Sequence, residues 1–269
     1  PILLSLGSYC IARSVAARMD FPEPLTHAWI AAHALFSPPD GIVVEEAISG
    51  GSDGVNSNLR HLVCDGQRFV VKRPPVGEDS ASIAARSVAK FQRWYEREVC
   101  FYRELAGKSV MQVPRCLVAE HSQTSNGFVL VLEDLDGLHA PWERASEHGA
   151  DKMQASAALR QLGTMHGYFL STGAEALAEA EARWLPRMPI HVEFAAAIAN
   201  YYTEAWRVVK VDFASELSPA ILPIGDRLTA TYADLTARLA QSPRTLLHGD
   251  FRVENLRFDA ALCSGRKCP

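Results

Sequence analysis

The run Leu246-Leu247-His248-Gly249-Asp250-Phe251-Arg252-Val253-Glu254-Asn255-Leu256-Arg257-Phe258 is an apolar pair, a polar turn and an apolar close. Asp250 and Asn255 stand five residues apart inside it. Side chains at that spacing converge on one point only in a loop, because a strand would send them to opposite faces. An Asp and an Asn so placed suit a phosphotransferase loop. The carboxylate takes the proton of an attacking hydroxyl, and the amide oxygen helps hold a divalent ion on nucleotide phosphates. The competing reading is an ordinary strand-to-loop turn with a capping Asp.

The string His-Gly-Asp-Phe-Arg-x-x-Asn-Leu-x-Phe resembles the catalytic loop of the aminoglycoside phosphotransferase and choline-kinase-like superfamily. Within it, the resemblance is to the branch that includes ecdysteroid-kinase-like proteins and the phosphotransferase-like domains attached to acyl-CoA dehydrogenases. It implies that Asp250 is the catalytic base and Asn255 the metal-binding Asn. His248 then takes the place of the His in the protein-kinase loop and braces the turn. The resemblance covers roughly residues 41–259.

Composition agrees with a chain that builds a substantial core in one or two domains: 269 residues, 48% hydrophobic and 22% charged. A formal charge of -4 argues against a generally basic nucleic-acid binder. Six scattered cysteines read as free thiols in a reducing compartment. Cys263 and Cys268 lie close together, but no second cysteine pair or nearby histidine completes a zinc set. No run reaches the length of a membrane span, and the apolar start at Ile2 is short with no preceding positive segment. The expectation is a soluble cytoplasmic protein without a transmembrane segment.

Read in order, residues 1–40 form an N-terminal helical extension, with helical spacing over Leu25–Phe36 stopped by Pro38-Pro39-Asp40-Gly41. Ile42, Val43 and Val44 open a strand, and further strands are expected at 59–63 and 68–72. Gly50, Gly51 and Gly54 fall in the first of the intervening turns. Strand, glycine-rich turn, strand, turn and strand ending in a lysine is the layout of a nucleotide-covering hairpin, in which glycines let backbone N–H groups approach phosphate. Taken alone, Gly50-Gly51-x-x-Gly54 departs from GxGxxG and fits a plain hairpin turn as well.

Lys72 ends the third strand before Arg73-Pro74-Pro75, where a compact cation can meet the α- and β-phosphates. A surface lysine at a strand end is the alternative; the loop around Asp250 tips the balance toward phosphate. Ser80–Ala106 has helical spacing through Phe91, Trp94, Tyr95, Val99, Tyr102 and Leu105. One of its glutamates, Glu96, Glu98 or Glu104, should orient Lys72. Similarity to the family segment Glu-x-x-Phe-Tyr-x-x-Leu selects Glu98, with Glu104 second. Two more strands, 113–119 and 128–132, lead into Glu133-Asp134-Leu135. By resemblance this is the inter-lobe hinge, where backbone groups of Glu133, Asp134 and Leu135 line the base pocket. The N-lobe is then 41–135, and 136–269 is a partial helical C-lobe carrying the loop 248–255.

Helical spacing recurs over 150–170, 195–213 and 221–239. By resemblance His166 is a structural histidine, buried and hydrogen-bonded. Tyr201, Tyr202 and Trp206 read as a core stripe, or as the lining of a pocket for an apolar acceptor. One family feature is missing: a second metal carboxylate, on the order of fifteen residues beyond the loop Asn in the families resembled. Asp259 comes too early, and the tail from Cys263 to Pro269 shows no strand or helix pattern. A fragment of a longer chain, an altered reading frame and a natural shortened form all account for this.

The expected fold is α+β, two-lobed and protein-kinase-like, with a small mixed N-terminal lobe, a mostly helical C-terminal lobe and the C-terminal part missing. The expected reaction is transfer of the ATP γ-phosphate, with Mg²⁺, to a hydroxyl of a small molecule. The alternative is a catalytically impaired kinase-like protein that binds nucleotide or a partner.

Overall fold

Five runs pair into one antiparallel sheet, of which the third and fifth, QRFVVKR and FVLVLE, are rich in β-branched and aromatic residues. The strands are β1 (Val44–Ala47), β2 (Asn58–Cys64), β3 (Gln67–Arg73), β4 (Cys116–His121) and β5 (Phe128–Glu133). Their order is β1-β2-β3-β5-β4. The computed structural model describes residues 21, 24–33, 44–47, 57–64, 67–75, 77–136, 142–143, 149–185 and 195–259.

Phe128, Val129, Leu130 and Val131 are consecutive, apolar and all buried, because β5 lies between β3 and β4 and is covered on both faces. Successive side chains of a strand point to opposite faces. Val129 and Val131 therefore join Phe69, Val71 and Val118 under helix α1 (His27–His33), which contributes Ile30. Phe128 and Leu130 meet Ala89, Tyr95 and Val99 on the other face. There Tyr95 stacks on Phe128 with ring centroids 4.5 Å apart.

The helical run expected from Ser80 to Ala106 is interrupted twice. It forms α2 (Ser80–Phe91), α3 (Trp94–Cys100) and a single wider π-turn (Phe101–Leu105). The reason lies in the spacing of its buried positions: Ala85, Ala89, Tyr95, Val99 and Leu105. Six steps advance a regular helix by about 600°, so each six-residue gap would swing the next buried side chain about 120° off the sheet. Arg93 corrects the first gap with a left-handed backbone, φ 54°. Its guanidinium donates two bonds to Glu96, at 2.6 and 2.8 Å. The π-turn corrects the second, with Ala106 N–H reaching back to the Phe101 carbonyl at 2.8 Å.

Two compact units emerge. One takes the described residues up to Met165 and from His248 onward; the other is His166–Leu247. Helix α4 (Lys152–Leu170) runs through the boundary between Met165 and His166. Its expected stripe is partial: Met165 and Phe169 are buried, whereas Met153 and Leu159 are exposed. His166 also departs from expectation, since it is half-buried and its Nε2 has no hydrogen-bond partner among the described residues. Helix α5 (Ala174–Arg183) was not anticipated, although its alternating Ala and Glu are strong helix formers.

The second unit continues with α6 (Ala195–Asp212) and α7 (Leu222–Leu239), a helical hairpin. Trp206 lies so close to Gly225 that a Cβ there would meet its ring, and its indole N–H donates to Asp226 at 2.8 Å. Tyr202 stacks on Tyr232 at 6.0 Å, but Tyr201 is 73% exposed and outside any core stripe. No helix among the described residues is long and apolar enough to cross a membrane.

Near the start of the described chain, a buried ion pair ties the segment leading into α1 to the sheet. Arg73 donates to both oxygens of Glu45, at 2.7 and 2.8 Å, and Glu45 also accepts the Leu25 backbone N–H at 2.6 Å. Removing one member strands the other charge out of water. Glu45→Ala should therefore lower stability by about 3–5 kcal/mol, read from urea unfolding.

Candidate active site

Strand parity places the first half of the site. Phe69, Val71 and Arg73 of β3 turn into the α1 side and are buried. Lys72 lies between them in sequence and so projects to the opposite side, where its Cα is registered with Leu130 of β5. Helix α3 passes over this face, and Glu98 directly precedes the fully buried Val99. Lys72 Nζ donates to both Glu98 carboxylate oxygens, at 2.7 and 2.8 Å. The two side chains keep 26% and 32% of their surface. A pair this open contributes only about 0–1 kcal/mol to stability, so its effect is to aim the ammonium. Glu96 is occupied by Arg93, whose hydrogen bond holds its carboxyl below the ordinary glutamate range. Glu104 sits in the π-turn.

The second half is the loop from His248 to Asn255. Gly249 has φ +82°, a conformation that favours glycine, and a Cβ built there would meet nothing within 4 Å. The constraint is therefore torsional, not one of space. The turn brings the Asp250 N–H to His248 Nδ1 at 3.3 Å, and the ring packs edge-on to Phe251. With Nδ1 accepting, the neutral ring carries its proton on Nε2.

Val253–Asn255 makes one 3₁₀ turn. Asn255 Nδ2 donates back to the Asp250 carbonyl at 2.9 Å and to its Oδ2 at 2.8 Å. The loop thus closes on itself, with Asp250 and Asn255 both at the surface. Because the amide NH₂ faces the carboxylate, the amide oxygen of Asn255 is directed elsewhere. Arg252 Nε stands 3.4 Å from Asp250 Oδ1.

The electrostatics of His248 are mixed. Partial burial pushes its imidazole below the ordinary value; the charges of Asp250 and Glu98 push it up, and that of Lys72 pushes it down. The Lys72–Glu98 pair and the loop belong to one compact unit.

The carboxylates at the end of β5 turn toward protein. Glu133 Oε1 accepts the Arg115 backbone N–H at 2.8 Å. The Asp134 side chain is 2% exposed, with Arg68 Nη2 2.9 Å from its Oδ2. Leu135 follows in a turn. Gly50, Gly51 and Gly54 lie outside the described residues. Sequence reasoning did not assign roles to Arg68, Asp136 or Arg257, although the last two pair at 2.8 Å. A usable signal existed for Arg257, a lone charge between the apolar Leu256 and Phe258.

No group of three or more His, Cys, Asp or Glu able to hold a metal occurs among the described residues. The Asn255 amide oxygen, turned away from the Asp250 carboxylate, nevertheless suits Mg²⁺ as a single protein ligand, since that ion fills the rest of its octahedron with phosphate oxygens and water. The α+β architecture is kinase-like, and the loop carries an acid and an amide in phosphotransferase spacing. The chain belongs to the phosphotransferase enzyme family, whose model matches residues 47–266. No curated protein and no solved structure matches it.

The His248 ring should titrate below 6.5 in the folded chain, observable by its NMR ring signals against pH. Its contribution to stability is then fully present above 6.5 and is lost as pH falls from there toward the folded midpoint. In Asp250→Asn the midpoint should move lower still, because a charge that raises it is gone.

Proposed function

We propose that the chain transfers the γ-phosphate of ATP to a hydroxyl of a small molecule. The observation that carries this reading is geometric: a lysine gripped by both oxygens of a glutamate and a loop in which Asn255 holds the Asp250 carboxylate occur in one compact unit. Family membership supplies phosphotransferase chemistry; the nucleotide, the metal and the acceptor class are our assignments.

Asp250 receives the proton of the acceptor hydroxyl, or orients that hydroxyl, as its oxygen approaches the phosphorus. Its carboxylate is open to solvent and restrained by Asn255, so it stays aimed without being buried. Lys72 contacts the α- and β-phosphates, with Glu98 fixing its direction. Asn255 would hold Mg²⁺ through its amide oxygen, together with phosphate oxygens and water. When bound, the ion neutralises charge as the phosphoryl group moves. His248 braces the turn through the Asp250 N–H. Backbone groups of Glu133, Asp134 and Leu135 line the base pocket; the first two carboxylates are already spent on protein partners.

Calorimetric titration with ATP, with and without Mg²⁺, tests this directly. The intact chain should bind, and Lys72→Ala should lose affinity while its stability changes by less than about 1 kcal/mol. Absence of nucleotide binding would overturn the assignment. Asp250→Asn should keep nucleotide binding and lower transfer to a hydroxylated acceptor about 10²- to 10⁴-fold. Binding without transfer to any of a broad panel of hydroxylated small molecules would instead favour a nucleotide-binding or interaction protein.

A further inference from the structure

A line of polar contacts runs from β3 to the end of the loop. Arg68 on β3 faces the nearly buried Asp134 at 2.9 Å. Asp134 Oδ1 accepts the Asp136 backbone N–H at 2.9 Å. The Asp136 carboxylate then accepts two bonds from Arg257, from Nε at 2.8 Å and from Nη2 at 3.2 Å. The third guanidinium nitrogen, Nη1, donates to the Glu254 carbonyl at 3.2 Å and the Leu256 carbonyl at 3.0 Å. One planar group thus grips the segment after β5 with one edge and the loop's own exit with the other.

Position gives this grip its consequence. Arg257 follows Asn255 by two residues, and its carbonyl partners Glu254 and Leu256 are the two neighbours of Asn255. Asp136 follows the strand-end residues 133–135 directly. Farther along both segments, β6 (Trp142–Glu143) pairs with β7 (Phe258–Asp259), a ladder of two residues each. So short a ladder fixes direction weakly. The Arg257 side chain is 19% exposed and that of Asp136 25%, which shields the pair from solvent more than Lys72–Glu98. A guanidinium has the five donors and the rigid fork these contacts need; a lysine ammonium has neither.

We propose that Arg257 is a positioning residue: by clamping Asp136 and the carbonyls on either side of Asn255, it sets the Asn255 amide relative to the strand end at Glu133–Leu135. The significance for metal and nucleotide rests on the phosphotransfer reading above; the clamp itself does not. Loss of partners that orient a ligand typically weakens metal affinity about 10- to 100-fold.

The test uses the intact chain and two readouts. In the nucleotide-free protein, hydrogen exchange should quicken in Arg257→Ala at amides 250–256 and remain as in the native chain across β3 and β5. In the presence of ATP, the Mg²⁺ concentration giving half-maximal nucleotide binding should rise about 10- to 100-fold, with Mg²⁺-free affinity unchanged. Arg257→Lys keeps the charge without the fork. It should show the same Mg²⁺ shift, and it decides the matter if Arg257→Ala does not fold.

Native exchange at 250–256 in both variants would overturn the clamp. So would exchange that quickens equally throughout the sheet, since that is general destabilisation. An unchanged Mg²⁺ half-point with locally faster exchange would overturn the tie to Asn255. If the native chain binds no nucleotide at all, the phosphotransfer assignment fails while the exchange experiment still rules on the clamp.

Discussion

The register of β3 against β5 is the constraint on which the site depends. β5 can sit inside the sheet because both of its faces are apolar, and that placement gives the sheet two different sides. Lys72 faces the α3 side only because Phe69, Val71 and Arg73 are committed to the other. A slip of one residue would exchange the two sets, burying the lysine under α1 and exposing the apolar pair. The ladder Val70↔Leu132, Val71↔Val131 and Lys72↔Leu130 thus fixes the direction of a cation as well as a core. The interruption of the following helix works toward the same end. By returning Tyr95 and Val99 to the sheet, the left-handed Arg93 sets the turn of α3 from which Glu98 reaches Lys72.

The ion pairs of this unit differ in what they do, and burial decides which. Arg73–Glu45 is almost entirely removed from water, with side chains 4% and 3% exposed, and it joins the segment leading into α1 to two strands. Desolvation makes such a pair costly to break, although it need not be stabilising in itself. Lys72–Glu98 is partly open and weak, as the proposed exchange of protein for phosphate contacts requires. Asp136–Arg257 lies between these limits and has bidentate geometry, so it adds direction beyond charge attraction.

The loop is held mostly by itself. Gly249 supplies the torsion, the Asp250 N–H finds His248, and the Asn255 amide satisfies both the carbonyl and the carboxylate of Asp250. Few apolar contacts are needed, and Asp250 remains exposed to whatever approaches from solvent. Anchoring from outside falls to Phe258, which is buried, and to Arg257.

Much of this was legible in the residues. The loop string placed Asp250, Asn255 and His248 together because they are close in sequence and glycine marks the turn. The apolar run 128–132 marked a strand, and the strand ending at Lys72 followed from alternation. The segment pattern also chose Glu98 over its neighbours, and that is the glutamate at 2.7 Å from Lys72. What the sequence could not determine was anything set by the sum of small rotations or by distant partners. The breaks at Arg93 and Phe101–Leu105 come from the need of several buried side chains to reach one sheet at once, which no local preference encodes. Exposure of Tyr201, Met153 and Leu159 likewise depends on which neighbours each helix acquires. Asp136 and Arg257 stand 121 residues apart, and only the tertiary fold brings a carboxylate to a guanidinium across that distance. Sequence by itself determined the chemistry available, because the reactive groups lie on a short loop and a regular strand. Tertiary structure decided their aim, because orientation is fixed by contacts between segments that are remote along the chain.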